Sequence, residues 1–232
     1  MARILSSGPA VKVMKNIFTD EKEPLFSGIT IIIDAGHGGM DPGKIGINKC
    51  LEKDINLKIA LKLKVLLEEM GIKVIMTREE DITLCKDGES NKKRADMNKR
   101  IEIINSSNAL FAISIHQNSY TEEYVKGAQV FYYIQSEIGK NIASVLQEQI
   151  KKAIADGNHR EAKSNDSYFM LRKANCPLVI VECGFLSNNK EASLLVTDEY
   201  QNKMADAISQ GIKEYLNKLN NNTQNEQNNP LR

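Results

Sequence analysis

Apolar residues recur along this chain in two alternating rhythms. The run "ITIIID", Ile29 to Asp34, is almost wholly β-branched, as expected of a strand buried on both faces. Ile55, Ile59, Leu63, Leu66 and Met70 follow at helical spacing and stop at Gly71, which predicts a helix with a glycine cap. "KVIMT" reads as a short strand, "NKKRADMNKRIEIINSS" as a second helix and "ALFAISIH" as a second long buried strand. "AQVFYY" is a further strand; Ile138, Ile142, Val145, Leu146, Ile150 and Ile154 then mark a helix ending at Gly157. "SYFMLRK" has the pattern of a strand, and "PLVIVE" is one, with Pro177 tolerated at its entrance. Met204, Ala207, Ile208, Ile212, Tyr215 and Leu216 make a last helix.

This alternation predicts a single α/β domain over residues 27–218, built on a mostly parallel, mixed sheet of about six strands with helices on both faces. Residues 1–26 lack periodicity and read as a tail or arm. Residues 219–232 are rich in Asn and Gln and read as disordered.

Composition narrows the function classes. A formal net charge of +1 over 232 residues gives no reason to expect nucleic acid as a partner. No apolar run approaches the length of a transmembrane segment, and the opening "MARILSSGPAVKVM" is too weakly apolar for a signal peptide. That leaves either an intracellular protein or one exported by a segment outside this sequence. Cys50, Cys85, Cys176 and Cys183 form no C-x-x-C pair, so reduced thiols are expected rather than a zinc knuckle or disulfides.

In open α/β sheets the site lies beyond the carboxyl ends of the strands. Three long strands end there in His37, His116 and Glu182, and Glu52 stands where the first helix starts. Two histidines and a carboxylate are a recurring catalytic zinc set, and a second carboxylate would move the water's proton. The glycines flanking His37 would let its loop fold closely around an ion. Taken singly, each residue has an ordinary explanation: a turn histidine, a carboxylate favoured at a helix N-terminus. It is the conjunction of His37, Glu52, His116 and Glu182 that points to metal-assisted hydrolysis. His159, in "DGNHREAKS", reads as a surface loop residue, and "DAGHGG" lacks the Lys-Ser/Thr of a phosphate-binding loop.

The motif "IIIDAGHGGMDPG" resembles the Asp-Pro-Gly-His-Gly-Gly opening of the zinc-dependent N-acetylmuramoyl-L-alanine amidases. The likeness continues in order through "LEKDINLKIA", "VIMTREED", "KRIEIINSS", "ISIHQNS", "GAQVFYY" and "VECGFLSNNKEASLL", covering residues 29 to 216. Ala35 departs from the family's usual proline, which would loosen the loop. The resemblance implies a peptidoglycan hydrolase that cuts between N-acetylmuramic acid and the L-alanine of the stem peptide. It places one Zn2+ per chain on His37, Glu52 and His116, makes Glu182 the catalytic glutamate, and suggests Arg100, Asn118 and Arg160 as substrate contacts. A salt bridge along its own helix is the competing role for Arg100.

"MTREEDITL" and "LRKANCPLVIVECGFLSNNKEASLL" look most similar to amidases of the spore cortex, where stem-peptide removal precedes muramic-δ-lactam formation. That implies action in the cell envelope, with control by a separate activating protein or by metal occupancy. The rival expectations are a vegetative wall autolysin, another zinc peptidase such as a carboxypeptidase, and a catalytically dead binding protein.

Overall fold

The computed structural model describes residues 25–86, 88–155 and 157–228, with side chains through 221. Six strands form one sheet: β1 (Thr30–Ala35), β2 (Lys73–Met76), β3 (Phe111–Asn118), β4 (Gln129–Tyr133), β5 (Lys163–Asn165) and β6 (Leu178–Phe185). Their order is β2-β1-β3-β6-β4-β5. The β2–β1, β1–β3, β3–β6 and β4–β5 pairs are parallel, and only β4–β6 is antiparallel.

The helices are α1 (Glu52–Glu69), α2 (Lys92–Ser106), α3 (Glu137–Ile154), α4 (Phe169–Lys173), α5 (Asn189–Leu195) and α6 (Asp198–Asn228). β1 explains the two-sided architecture. Ile31 and Ile33 face a large apolar layer with Ile59 and Leu63 of α1, Ile142 and Leu146 of α3, and Met204 and Ile208 of α6. Ile32 faces a smaller layer with Ile104 of α2 and Met170 and Leu171 of α4. A strand flanked by helices on both sides must be apolar at every position, which is why "TIII" shows no alternation.

The expected six-strand mixed sheet is therefore present, and the differences are local. "SYFMLRK" contains the short helix α4 rather than a strand, because successive apolar residues there do not distinguish the two conformations. Phe26, assigned to the tail, is 2% exposed and packs in the main core, its N–H donating to Met70 O. The last helix continues to Asn228 across residues expected to be disordered; extending a formed helix fixes one residue per hydrogen bond, so even modest formers continue it. Residues 1–24 of the predicted N-terminal arm and residues 229–232 lie outside the described residues. Cys50, Cys85, Cys176 and Cys183 are free thiols.

β1 leads through α1 to β2 on one side, and the chain then returns through α2 to β3 on the other. The strand order thus reverses between β1 and β3. A crevice forms at such a switch point, and both histidines emerge there.

Candidate metal centre

β1 ends at Ala35, and two residues on stands His37, in the left-handed region at φ 63°. A non-glycine residue there carries a strain of about 1 kcal/mol or more, which the surroundings must offset. His116 lies near the end of β3, and Glu52 is the first residue of α1. His116 Nδ1 is 2.9 Å from Glu52 Oε1, and His37 Nε2 is 3.2 Å from Glu52 Oε2. The imidazoles meet edge to face, 5.0 Å between centroids. One ligand-capable atom from each of the three residues lies within 4.8 Å of the others.

Two glycines make this convergence sterically feasible. A Cβ on Gly36 would stand 2.3 Å from the His116 ring, and one on Gly43 would meet Glu52 Oε2 at 2.6 Å and His37 Cδ2 at 2.7 Å. Backbone amides complete the carboxylate's environment: Lys44 N–H donates to Glu52 Oε2 and Gln117 N–H to Oε1. His37 Nδ1 is held by Asp41 Oδ2 at 2.8 Å, which leaves Nε2 as its inward donor.

Burial would raise the Glu52 carboxyl, but His116 and His37 hold it far below the usual carboxylate range. Burial would likewise lower His116, and its contact with Glu52 outweighs that and lifts it to about 9. The two imidazoles thus provide the electrostatic partners of the buried carboxylate. A divalent ion would take over that role, and two nitrogens with one carboxylate oxygen match the donor set of an open catalytic site.

Glu182 extends the arrangement. Its Cα pairs with His116 across β3–β6 and with Gln129 across β6–β4, so the three side chains share one face of the sheet. Burial pushes its carboxyl up to about 7, the Glu52 charge adding to the rise. Among the described residues, buried Glu182 Oε2 has no hydrogen-bond partner. A carboxylate placed this way, beside but outside the three-donor cluster, suits proton transfer to a bound reactant.

The three expected substrate contacts fall differently. Arg100 is 3% exposed, and its guanidinium bonds Asp34, Asp96 and the carbonyls of Ala35 and His37. It supports the loop from beneath, and the helix salt bridge, to Asp96 four residues earlier, is present beside those contacts. Asn118 is half-buried at an irregularity between β3 and β6, its Oδ1 accepting from Ser119 N–H. Arg160 lies over the Phe185 ring, 4.7 Å from its centroid, and donates to Gln129 Oε1 and Lys126 O. His159 is exposed.

Two residues escaped the sequence reading. Asp41 orients His37 from four positions along the same loop. Arg78, two residues beyond the end of β2, follows the same rule that located His37, His116 and Glu182, as a polar residue at the carboxyl end of a strand. The carbonyl of Ala35 receives both Arg78 Nε and Arg100 Nη1, so alanine in place of the family's proline does not leave this loop unsupported.

Comparison with known proteins identifies the chain's relatives. The N-acetylmuramoyl-L-alanine amidase family matches residues 31–214. A germination-specific N-acetylmuramoyl-L-alanine amidase of Bacillus subtilis is 38% identical over 193 residues, 82% of this chain and 81% of that protein. The CwlD amidase of Clostridioides difficile, solved in complex with the GerS lipoprotein, is 44% identical with a TM-score of 0.79, over 82% of this chain and 98% of that one. AmiC2 of Nostoc punctiforme, also an N-acetylmuramoyl-L-alanine amidase, is 34% identical with a TM-score of 0.72, over 83% and 99% of the two chains.

Proposed function

The chain belongs to the N-acetylmuramoyl-L-alanine amidase family, and on that premise we propose that His37, Glu52 and His116 hold a zinc ion beside the general base Glu182, in an enzyme of the spore cortex. It is a peptidoglycan hydrolase of the bond between N-acetylmuramic acid and L-alanine. The observation that carries the site assignment is the three-donor cluster at the β1/β3 switch point with a buried, unpartnered carboxylate beside it.

Zinc held by these three residues would supply Lewis acidity and would lower the pKa of a water from 15.7 to about 7. The chain's own groups do the rest. Glu182, raised toward neutrality by burial, takes a proton from the attacking water and returns it to the departing L-alanine nitrogen, so a single carboxyl serves as base and then acid. Asp41 fixes the tautomer and orientation of His37. The Gln117 and Lys44 amides hold Glu52 in place. Asn118 and Arg160, farther along the same edge of the sheet, are the candidates for touching glycan or peptide.

The cortex assignment rests on the germination-specific relative and on the likeness to CwlD. Action on cortex requires an extracytoplasmic location, and no described helix is long and apolar enough to cross a membrane. Since CwlD is solved bound to a lipoprotein, control by a separate activating protein belongs to the same proposal.

Mass spectrometry of cortex fragments digested with and without a chelator tests the reading. The expected products are intact stem peptides beginning with L-alanine and unsubstituted muramic acid on the glycan, both absent with chelator. Release of single amino acids from peptide termini would instead identify a carboxypeptidase. Spores lacking the enzyme should lose muramic-δ-lactam; normal lactam with unseparated daughter cells would move the enzyme to the vegetative wall.

A further inference from the structure

Two arginines lie buried beneath the His37 loop; Arg78 spends all its hydrogen bonds on backbone carbonyls, and Arg100 divides its own between carbonyls and the carboxylates of Asp34 and Asp96. Arg78, 2% exposed, donates from Nε to Ala35 O at 2.9 Å and from Nη2 to Gly36 O at 3.1 Å and Lys53 O at 2.8 Å, while Nη1 reaches Glu80 O at 3.0 Å. Arg100 donates from Nη1 to Ala35 O at 2.7 Å and from Nη2 to His37 O at 2.5 Å, braced by Asp34 and Asp96. The carbonyls of residues 35, 36 and 37 are thus each gripped by a guanidinium, in the segment that carries the left-handed His37. Lys53 is the neighbour of Glu52, so Arg78 also ties this loop to the turn of α1 that carries the second candidate ligand.

The arrangement is electrostatically demanding. Burial and the neighbouring Arg100 both depress Arg78, and buried ionic groups are often replaceable by apolar ones without loss of stability. Support of the fold alone would not call for two adjacent cations whose forks fit successive carbonyls. The loop is also shaped to admit one of them: a Cβ on Gly38 would stand 2.9 Å from both Cδ and Nε of Arg78 and 2.5 Å from Ile82 O.

We propose that Arg78 and Arg100 are positioning residues, a two-guanidinium clamp that presets the 35–37 backbone so that His37 Nε2 faces Glu52 and His116 before a metal arrives. The clamp rests on the reading of His37 as a ligand. Its function depends on fork geometry rather than on charge, because a lysine ammonium cannot bridge two successive carbonyls in fixed directions.

The test compares Arg78→Lys and Arg100→Lys with wild type and with His37→Ala. Zinc affinity is measured by competition with a chromophoric chelator, and the cobalt-substituted visible spectrum reports ligand geometry; near-UV circular dichroism selects conditions where each variant is folded. Arg78 has no carboxylate among its hydrogen-bond acceptors, so its lysine variant removes the grip without stranding an acid. The clamp predicts a weakening of zinc affinity by about 10–100-fold in each lysine variant, a perturbed cobalt spectrum, and activity recovered by excess zinc. Folded lysine variants with wild-type affinity and spectrum would overturn it. His37→Ala retaining full zinc affinity would sink the ligand assignment instead, which keeps the two failures apart. Should the variants not fold, hydrogen exchange on the metal-free wild type decides. Amides 36, 38 and 39, bonded to Ile115 O, Asp41 O and Asp81, must exchange far more slowly than those of the exposed turn near Gly88; equal rates would refute a preset loop.

Discussion

Replacing Asp34 by asparagine keeps the side chain's shape and removes one charge from beneath the candidate site. Asp34 is 1% exposed and accepts from Thr77 Oγ1 and Arg100 Nη1, each at 2.7 Å, and from Ser114 Oγ at 2.5 Å. Burial alone would raise its carboxyl, but Arg100 and the two hydroxyls hold it at about 2 instead of 3.8. At about 1.36 kcal/mol per pH unit, that depression is worth about 2 kcal/mol of folding free energy at neutral pH. Asp34→Asn should therefore be less stable than wild type by about 2–3 kcal/mol, a little more if the uncompensated Arg100 charge is felt.

The sign follows from the direction of the shift. A carboxyl whose folded pKa lies below its unfolded one contributes fully above the unfolded value and loses its contribution as pH falls through the folded value. The gap between wild type and variant should be constant from pH 7 down to about 5, then shrink between 3.8 and about 2. Urea unfolding of the metal-free proteins, followed by circular dichroism at several pH values, measures it. A gap under about 0.5 kcal/mol at pH 7, or one that widens on acidification, would refute the pairing as the cause.

Other consequences are simpler to score. Glu182→Gln should retain stoichiometric zinc and lose about 10²–10⁴ in turnover, because proton transfer is removed and the metal donors are untouched; zinc lost along with activity would recast Glu182 as a ligand. Gly43→Ala forces a Cβ to within 2.7 Å of Glu52 and His37 atoms at a backbone φ of +66°, so zinc affinity should fall by at least about tenfold while the sheet remains intact by circular dichroism. Chelation should abolish hydrolysis and leave secondary structure in place, with a melting temperature that rises again with added zinc by mass action; a melting temperature insensitive to zinc would argue against a site in the folded chain.

Which parts of this molecule could be read in advance follows from the range of the interactions involved. The strands with both faces buried declare themselves because every residue from Ile31 to Ile33 must be apolar, and the topology then puts His37 and His116 at one switch point whatever the intervening sequence. For Arg100, spacing along the helix reveals the Asp96 contact but not the buried partner Asp34, which is 66 residues away. The α4 region failed for a related reason: Met170 and Leu171 are both buried, and a pair of adjacent apolar residues fits a single helical turn as well as a strand. Composition underestimated how far α6 runs, since a segment without apolar residues can still extend a helix already packed through Ile212 and Leu216.

An anomalous difference map recorded at the zinc edge on crystals of the zinc-loaded chain addresses the central claim most directly. One strong peak should lie about 2.0–2.2 Å from a nitrogen of His37, a nitrogen of His116 and an oxygen of Glu52, with the Glu182 carboxyl beyond bonding distance. A peak elsewhere in the molecule, or one ligated by Glu182 in place of Glu52, would contradict it.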